Sequence, residues 1–495
     1  KNPTFDLIYI ATEMSIKRSL ILIISVLSFI QTYGQKPQFE IKTTEKTISV
    51  DKFSKYYYSS FDLEKPSTLT LISNLIISSI EISPKSHLIP FNLIDNKTLS
   101  VKLSEPGQFL IRINDSIKIF LFAEKPINTS DIQLLNIVTK YNIDPTGKTN
   151  ETIKIQQALN EISGSGKILY FPPGIYKSGQ LLPKSNSKIM FARGATLISD
   201  TTSVKPYFPT DYVENRRFIY LNEVENIEIT GSGIVDGNGS TLRKNFGDDG
   251  RVRLILAVKS KNVRIEGLIL KDPGSWNTQI IKCNDVILRN LKLLNDIDLS
   301  NTDGFDPDAS SNVLIENCFA YCGDDNVAVK VTGKNGLGAD VENVIVRGCV
   351  FLTKKSALKV GTETRSESMK NITFENNDII ECDRGMALYV NDGAVLDSIA
   401  FINNRFERNH PDAQKKAIHF EVDKRNPDSK LGTIKHVLIK DCTFNKAFPN
   451  KSVIDYNGDT IGINVTIQNL TIDNNKVNSL ESARIDAINA IVDFK

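Results

Sequence analysis

Histidine is scarce in this chain: the 495 residues include four, and they do not cluster. His87, His410, His419 and His436 stand apart, and none has a Ser or Cys partner in a pattern that would make a nucleophilic triad. His419, in AIHFEVDK beside Glu421 and Asp423, is placed either to line a cleft wall or to serve the fold. Cysteine is nearly as rare, at six, and nothing resembles a zinc-ligand spacing, so no metal or other cofactor is expected. An excess of one charge is missing too. The net charge is +2, and the 24% of charged residues are mixed along the chain, which leaves no basic footprint and excludes nucleic acid as an implied partner. The apolar run Leu20 to Phe29 is too short for a comfortable membrane span.

What is present begins with that run. Lys1 to Glu13 precede Met14 and read as upstream residues. From Met14 the order is a basic region (Lys17, Arg18), the apolar region, and a cleavage zone at Thr32-Tyr33-Gly34-Gln35, the pattern of a secretory signal. The expectation is an exported protein, periplasmic or secreted, with residues 1–34 removed and no span left. A chain of this length with 40% hydrophobic residues can bury a large core, and two domains are expected. Residues 35–130 carry short alternating apolar strands such as LTLISNLIISSIEI and FLIRINDSIKIFLF, which predict a small antiparallel β-sandwich-like accessory domain. Its Tyr56-Tyr57-Tyr58 cluster offers a sugar-stacking surface or, more simply, strand packing.

Residues 131–495 predict one further domain. Glu151 to Ile162, with Ile153, Ile155, Ala158, Leu159 and Ile162, predicts a helix over the open end of a stacked core. From Asn226 a theme recurs: a polar residue, an alternating apolar strand, then a Gly/Asn/Asp-rich turn. It starts at Asn226, Asn262, Asp285, Asn312, Asn343, Asn371, Ser398, His436 and Asn464, at irregular spacing that suits stacked coils with inserted loops. Aligning the strands puts Cys318, Cys349 and Cys442 at a position shared with Leu268, Leu291 and Leu470, an inward core site where Cys acts as a small hydrophobe. Asn377 and Asn404 fall at the same position and predict an internal asparagine ladder. Cys283, Cys322 and Cys382 lie near turns and leave room for one disulfide.

The chemistry is concentrated in NTDGFDPDASSNVLIENCFAYCGDDNVAVK, residues 301–330. Asp303 stands in one polar turn and Asp324 with Asp325 in the next, separated by a buried strand, so stacking brings three carboxylates together. Such a group suits general acid/base work on a bond that is protonated and attacked by water, or holds calcium, or is merely a solvated acidic turn. Three close carboxylates repel, which raises one pKa and keeps a proton available near neutrality. Lys330 reads as an exposed charge at a strand end.

NTDGFDPD followed by GDDNVAVK resembles the signature of glycoside hydrolase family 28, the polygalacturonases and rhamnogalacturonases, and Pro273-Gly274-Ser275-Trp276-Asn277-Thr278 resembles that family's P-x-W-T strand edge. The resemblance implies an all-β fold, a right-handed parallel β-helix preceded here by the sandwich, and an inverting hydrolase of a pectic polysaccharide. It implies Asp324 as the general acid and Asp303 with Asp325 as the pair that activates water. Two departures stand out. The family's Gly-His-Gly falls at Lys355-Ser356-Ala357, and its uronate-gripping Arg-Ile-Lys falls at Ala387-Leu388-Tyr389. Lys359, Arg384 and Arg365 are candidate replacements for the missing cations, Glu363 for a polar contact, and Asn301 shapes the turn. Trp276 and Tyr389 are candidate stacking surfaces should the sugar be neutral. An N-terminal sandwich ahead of a β-helix also resembles the dextranase and isopullulanase family. The alternatives are therefore a neutral-glucan hydrolase, a pectin-type lyase, and a non-catalytic glycan-binding β-helix.

Overall fold

The computed structural model describes residues 38–128, 133–205, 216–333 and 336–495. The expected leader, residues 1–34, lies outside the described residues. Two compact units are formed, one running to Ile82 and over Ile89–Pro126, the other comprising Ser83–Leu88 and Ile127–Lys495.

In the first unit, alternating strands make two five-stranded sheets. Ser67–Ser73 shows why: Leu69 and Leu71 turn inward while their neighbours stay at the surface, the period of two that a half-buried strand requires. With Phe39, Ile41, Leu99, Val101, Phe109, Ile111 and Leu121 they fill the space between the sheets. The pairing is not wholly antiparallel, as the alternation suggested: Tyr56–Asp62 runs parallel to Ile117–Glu124. Alternation is the same in either direction, so it carries no information on this point. Tyr56 and Tyr58 are buried, and Tyr56 meets Phe53 and Phe120 edge-on. The tyrosine cluster serves packing.

The second unit is a right-handed parallel β-helix. Two sheets have 13 strands each and the third has ten. Successive coils pair in parallel until the short antiparallel turn-back of Thr471–Ile472 on Asn475–Lys476. The helix Thr152–Ile162 packs Ile155, Ala158, Leu159 and Ile162 into the core; Ile153, two residues from Ile155 and thus off the helical stripe, is exposed.

Leu268, Leu291, Cys318, Cys349, Asn377, Asn404, Cys442 and Leu470 stack inside the coils with no exposed surface. The asparagines are satisfied there. Asn377 Nδ2 donates to Asn404 Oδ1 at 2.9 Å, Asn404 Nδ2 donates to Phe374 O at 2.8 Å, and the Cys349 N–H donates to Asn377 Oδ1 at 3.0 Å. All six cysteines are free and buried, so the bridge for which the sequence left room is not made. An outer asparagine row runs parallel to the inner one. Eight of the nine recurring start residues, all but Asn464, have positive φ, a conformation Asn and Asp tolerate better than most residues. Their amides link coil to coil: Asn262 to Asn226 at 2.7 Å, Asn343 to Asn312 at 3.0 Å. Replacing Asn377 by Ala leaves the buried Cys349 N–H unpaired; a loss of about 1–3 kcal/mol is expected, read as a lowered denaturant midpoint.

Candidate active site

The third sheet positions the acids. Its strands Phe305–Asp308, Val327–Val331, Ser356–Thr364 and Arg384–Val390 lie side by side, with Phe305 opposite Val327 and Val327 opposite Leu358. Asp303 leads into the first of these strands and Asp324-Asp325 into the second. The Gly304 N–H donates to Asp325 O at 2.8 Å, so the two turns lie at the same level of adjacent coils. Both turns need glycine. A Cβ on Gly304 would stand 2.5 Å from Asn326 O, and one on Gly323 would stand 2.7 Å from Thr302 Oγ1.

Asp303, Asp324 and Asp325 each place a carboxylate oxygen within 4.8 Å of the others. Asp303 and Asp325 are buried and Asp324 is half-buried. Asp325 is fixed at both oxygens: Oδ1 accepts the Ser356 N–H at 2.8 Å, and Oδ2 accepts from Lys359 Nζ at 2.7 Å. Asp303 Oδ2 accepts from Lys330 Nζ at 3.2 Å. Lys330 is also 2.7 Å from Asp306 Oδ1. It is 3% exposed, so the sequence reading of an exposed strand-end charge is wrong. The partners that hold it inside belong to the preceding coil.

These contacts divide the acids. Burial, with the charges of Asp303 and Asp325 adding to it, pushes Asp324 up to about 7. Burial acts on Asp325 in the same direction, but the Lys359 ammonium, Arg384 and the two hydrogen bonds outweigh it and hold the carboxyl at about 2. Burial raises Asp303, with Lys330 opposing and Asp325 adding to the rise. Asp306 is raised further by burial, again against Lys330. Burial alone would lower Lys330; Asp306, Asp303 and Glu363 more than reverse it.

The other expected site residues fall in two places. Arg384, opposite Ser356 in register, is near enough for its charge to act on Asp324 and Asp325. Lys359 Nζ is committed to Asp325 and also lies 5.4 Å from the centre of the Tyr389 ring. Tyr389 is 8% exposed, hydrogen-bonded to His419 Nδ1 at 2.8 Å and set edge-on to that ring, which leaves little of its face for a sugar. Trp276, Asn301, Glu363 and Arg365 instead line an adjoining cavity of about 390 Å³. The Trp276 ring has Lys330 Nζ at 4.0 Å and the Arg253 guanidinium at 4.6 Å from its centre.

Asp306 and Lys330 belong to the acid cluster by contact, and the sequence reading missed them. The signal was present in FDPD and VAVK: strict alternation turns Phe305, Val327 and Val329 inward, hence Asp306 and Lys330 outward onto the same face as the acids. The three carboxylates are oxygen donors of the kind that suit a hard cation. Lys359 and Lys330 already neutralise two of them, so a cation would have to displace both ammonium groups. Replacing Lys330 by Met strands buried Asp303 and Asp306 without a counter-charge, and a loss of about 3–5 kcal/mol is expected. Both carboxyls would then have folded pKa values further above their unfolded ones. The protonated forms are accommodated at low pH, so the deficit should be largest near pH 7–8 and shrink toward pH 5 in thermal melts.

Residues 177–489, more than half of the chain, match the family model for glycosyl hydrolases family 28. A curated relative, a probable polygalacturonase of Vitis vinifera, is 28% identical over 279 residues, which cover 50% of this chain and 56% of the relative. The chain thus spans about half the length of that relative. Among solved structures, the polygalacturonase of Erwinia carotovora is 20% identical with a TM-score of 0.60, covering 75% of this chain and 98% of that one. Dex49A from Penicillium minioluteum is 12% identical with a TM-score of 0.63, covering 93% and 94%. At these identities the two structures establish the shared fold. With the sequence match spanning the coils that carry Asp303, Asp324 and Asp325, the chain belongs to glycosyl hydrolases family 28.

Proposed function

We propose that this protein is an inverting glycoside hydrolase that cleaves a pectic, galacturonic-acid-containing polysaccharide. The observation that carries the reading is the division of protons within one cluster: Asp324 is pushed up to about 7 while Asp325 is held at about 2. An acid that keeps its proton near neutrality can give it to the leaving glycosidic oxygen, and a neighbouring carboxylate that stays ionised can orient water. Asp324, the least buried of the three, is the proton donor. Asp325 is the fixed anion that holds the water, and Asp303, raised by burial, is the more basic group that accepts the water's proton. Lys359 holds Asp325 ionised, while burial and the charges of Asp303 and Asp325 outweigh the opposing charge of Lys359 at Asp324. Ser356, where the family has His, contributes its backbone N–H to Asp325.

The pectic substrate is supported by the family and by a matched relative named for polygalacturonase activity. The neutral-glucan alternative rests on fold likeness alone. Export belongs to the same proposal, supported by the leader pattern from Met14 to Gln35. No described helix is long and apolar enough to cross a membrane.

Reducing-end release from polygalacturonate, rhamnogalacturonan, dextran and pullulan tests the substrate. Activity on a pectic member is expected, with kcat falling about 10²–10⁴-fold in Asp324→Asn. Activity on the glucans alone would overturn the reading. Because the donor must be protonated, kcat should decline as pH rises through about 7. The anomer first released, followed by NMR, tests the stereochemistry. Inverting enzymes usually separate acid and base by ~6.5–9.5 Å and retaining ones by ~5–5.5 Å. The carboxylate oxygens here lie within 4.8 Å of one another, short of the inverting range, so inversion is supported by the family and not by this spacing. A retained anomer would make one of those carboxylates the nucleophile.

A further inference from the structure

The outward face of the third sheet changes character along its length. On the strands Arg217–Asn222, Arg253–Val258 and Thr278–Ile281, Ile219, Ile255, Ala257 and Ile280 point into the core. Their neighbours Tyr220, Leu256, Val258 and Ile281 therefore point outward. An apolar row in that direction would ordinarily meet water, yet none of the four is more than 2% exposed. Leu337, six residues past the strand Val327–Val331, closes over them and forms with them an apolar cluster separate from the main core. Leu182 packs against its edge.

Next in register the outward rows turn polar. Leu256 is followed by Gln279 and Asp306, and Ile281 by Asp308 and Lys330. Past the acids the polar character continues at His419 and Glu421, and 37% of the Glu421 side chain is exposed. The border between the two regions is built firmly. The buried Asp308 carboxylate accepts the Thr332 N–H at 2.9 Å, Thr332 Oγ1 at 2.7 Å and Gln279 Nε2 at 2.9 Å. Arg365 Nη1 donates to Thr332 O at 2.6 Å. The segment that carries Leu337 is thus tied to the sheet where it leaves it.

The cavity of about 390 Å³ lies at this border, reaching the acids at Asn301 and the Leu337 segment at Thr332. Its volume is near the lower end of small-ligand sites, ~300–1,000 Å³, which gives room for about one or two sugar units rather than a strand. A sugar chain continuing past it would meet the Leu337 cluster, where its hydroxyls find no hydrogen-bond partner.

We propose that the substrate cleft is blind on the side of the earlier coils, stopped by Leu337, so that the enzyme releases about one or two sugar units from a chain end and does not cut within the polymer. The proposal rests on the hydrolase reading above and adds its mode of action. The bond broken joins the units in the cavity to the rest of the chain. Water supplies the hydroxyl to the anomeric carbon, its other proton passes to Asp303, and Asp324 protonates the leaving oxygen.

The test is the first products that the native enzyme forms from hexagalacturonate, with the viscosity of polygalacturonate followed beside reducing-end release. Mono- or digalacturonate is expected, with the complementary pentamer or tetramer, and viscosity should fall slowly for each bond cut. Trimers as the main first product, or a broad set of oligomers with an early collapse of viscosity, would overturn the inference and leave the hydrolase reading standing. Leu337→Asp places a charge against Tyr220 and Leu256 and should drive the segment off the sheet, so that trimers and longer products appear. A variant that is folded by circular dichroism yet keeps the short products would overturn Leu337 as the stop. If the native enzyme cleaves neither pectic substrate, the hydrolase reading fails, and this inference with it.

Discussion

In-register stacking of parallel coils is the constraint on which the rest depends. A single coil cannot bury its apolar face, so the core exists only when Leu, Cys and Asn at equivalent positions sit above one another. The same register stacks the outward positions. Asp303 and Asp325 come to one level because Gly304 and Asp325 share a backbone hydrogen bond, and Lys359 and Lys330 reach the acids from neighbouring rows. The geometry of the acid cluster is thereby a by-product of the ladder, and two glycines, Gly304 and Gly323, let the turns approach closely enough to complete it.

Charge is then arranged at a cost to stability. Burying Asp303, Asp306, Asp325 and Lys330 is unfavourable for each alone and tolerable only as a network. Among the described residues no lysine pairs with Asp324, and it is the acid whose proton is retained to about 7. Between the ordinary carboxylate range and that value, rising pH ionises this group more readily in the unfolded chain than in the folded one. The site therefore lowers stability as it becomes charged. That is the expected signature of a group kept protonated for chemistry.

Much of this was legible in the sequence where the information is local. The acids, the glycine turns and the recurring polar starts each lie within one coil, and the inner asparagines declare themselves once the strands are aligned. What a residue meets in the next coil is not local. Lys330 looks like a solvated strand end because its partner Asp306 is 24 residues away, and Tyr389 looks available because His419 is 30 residues away. The parallel pairing of Tyr56–Asp62 with Ile117–Glu124 is hidden for the same reason. The cavity beside the acids is the extreme case, drawn from positions between 216 and 365 with no sequence pattern joining them.

The central claim is that one carboxyl in this cluster stays protonated near neutrality because it is buried beside other carboxylates, of which Asp325 is held ionised. The most direct measurement is carbon NMR of aspartate-labelled protein across a pH titration, with Asp324→Asn identifying the resonance. The account predicts a carboxyl that titrates near pH 7 and disappears in the variant. An Asp324 signal that titrates near pH 4, as an ordinary surface carboxyl does, would contradict it.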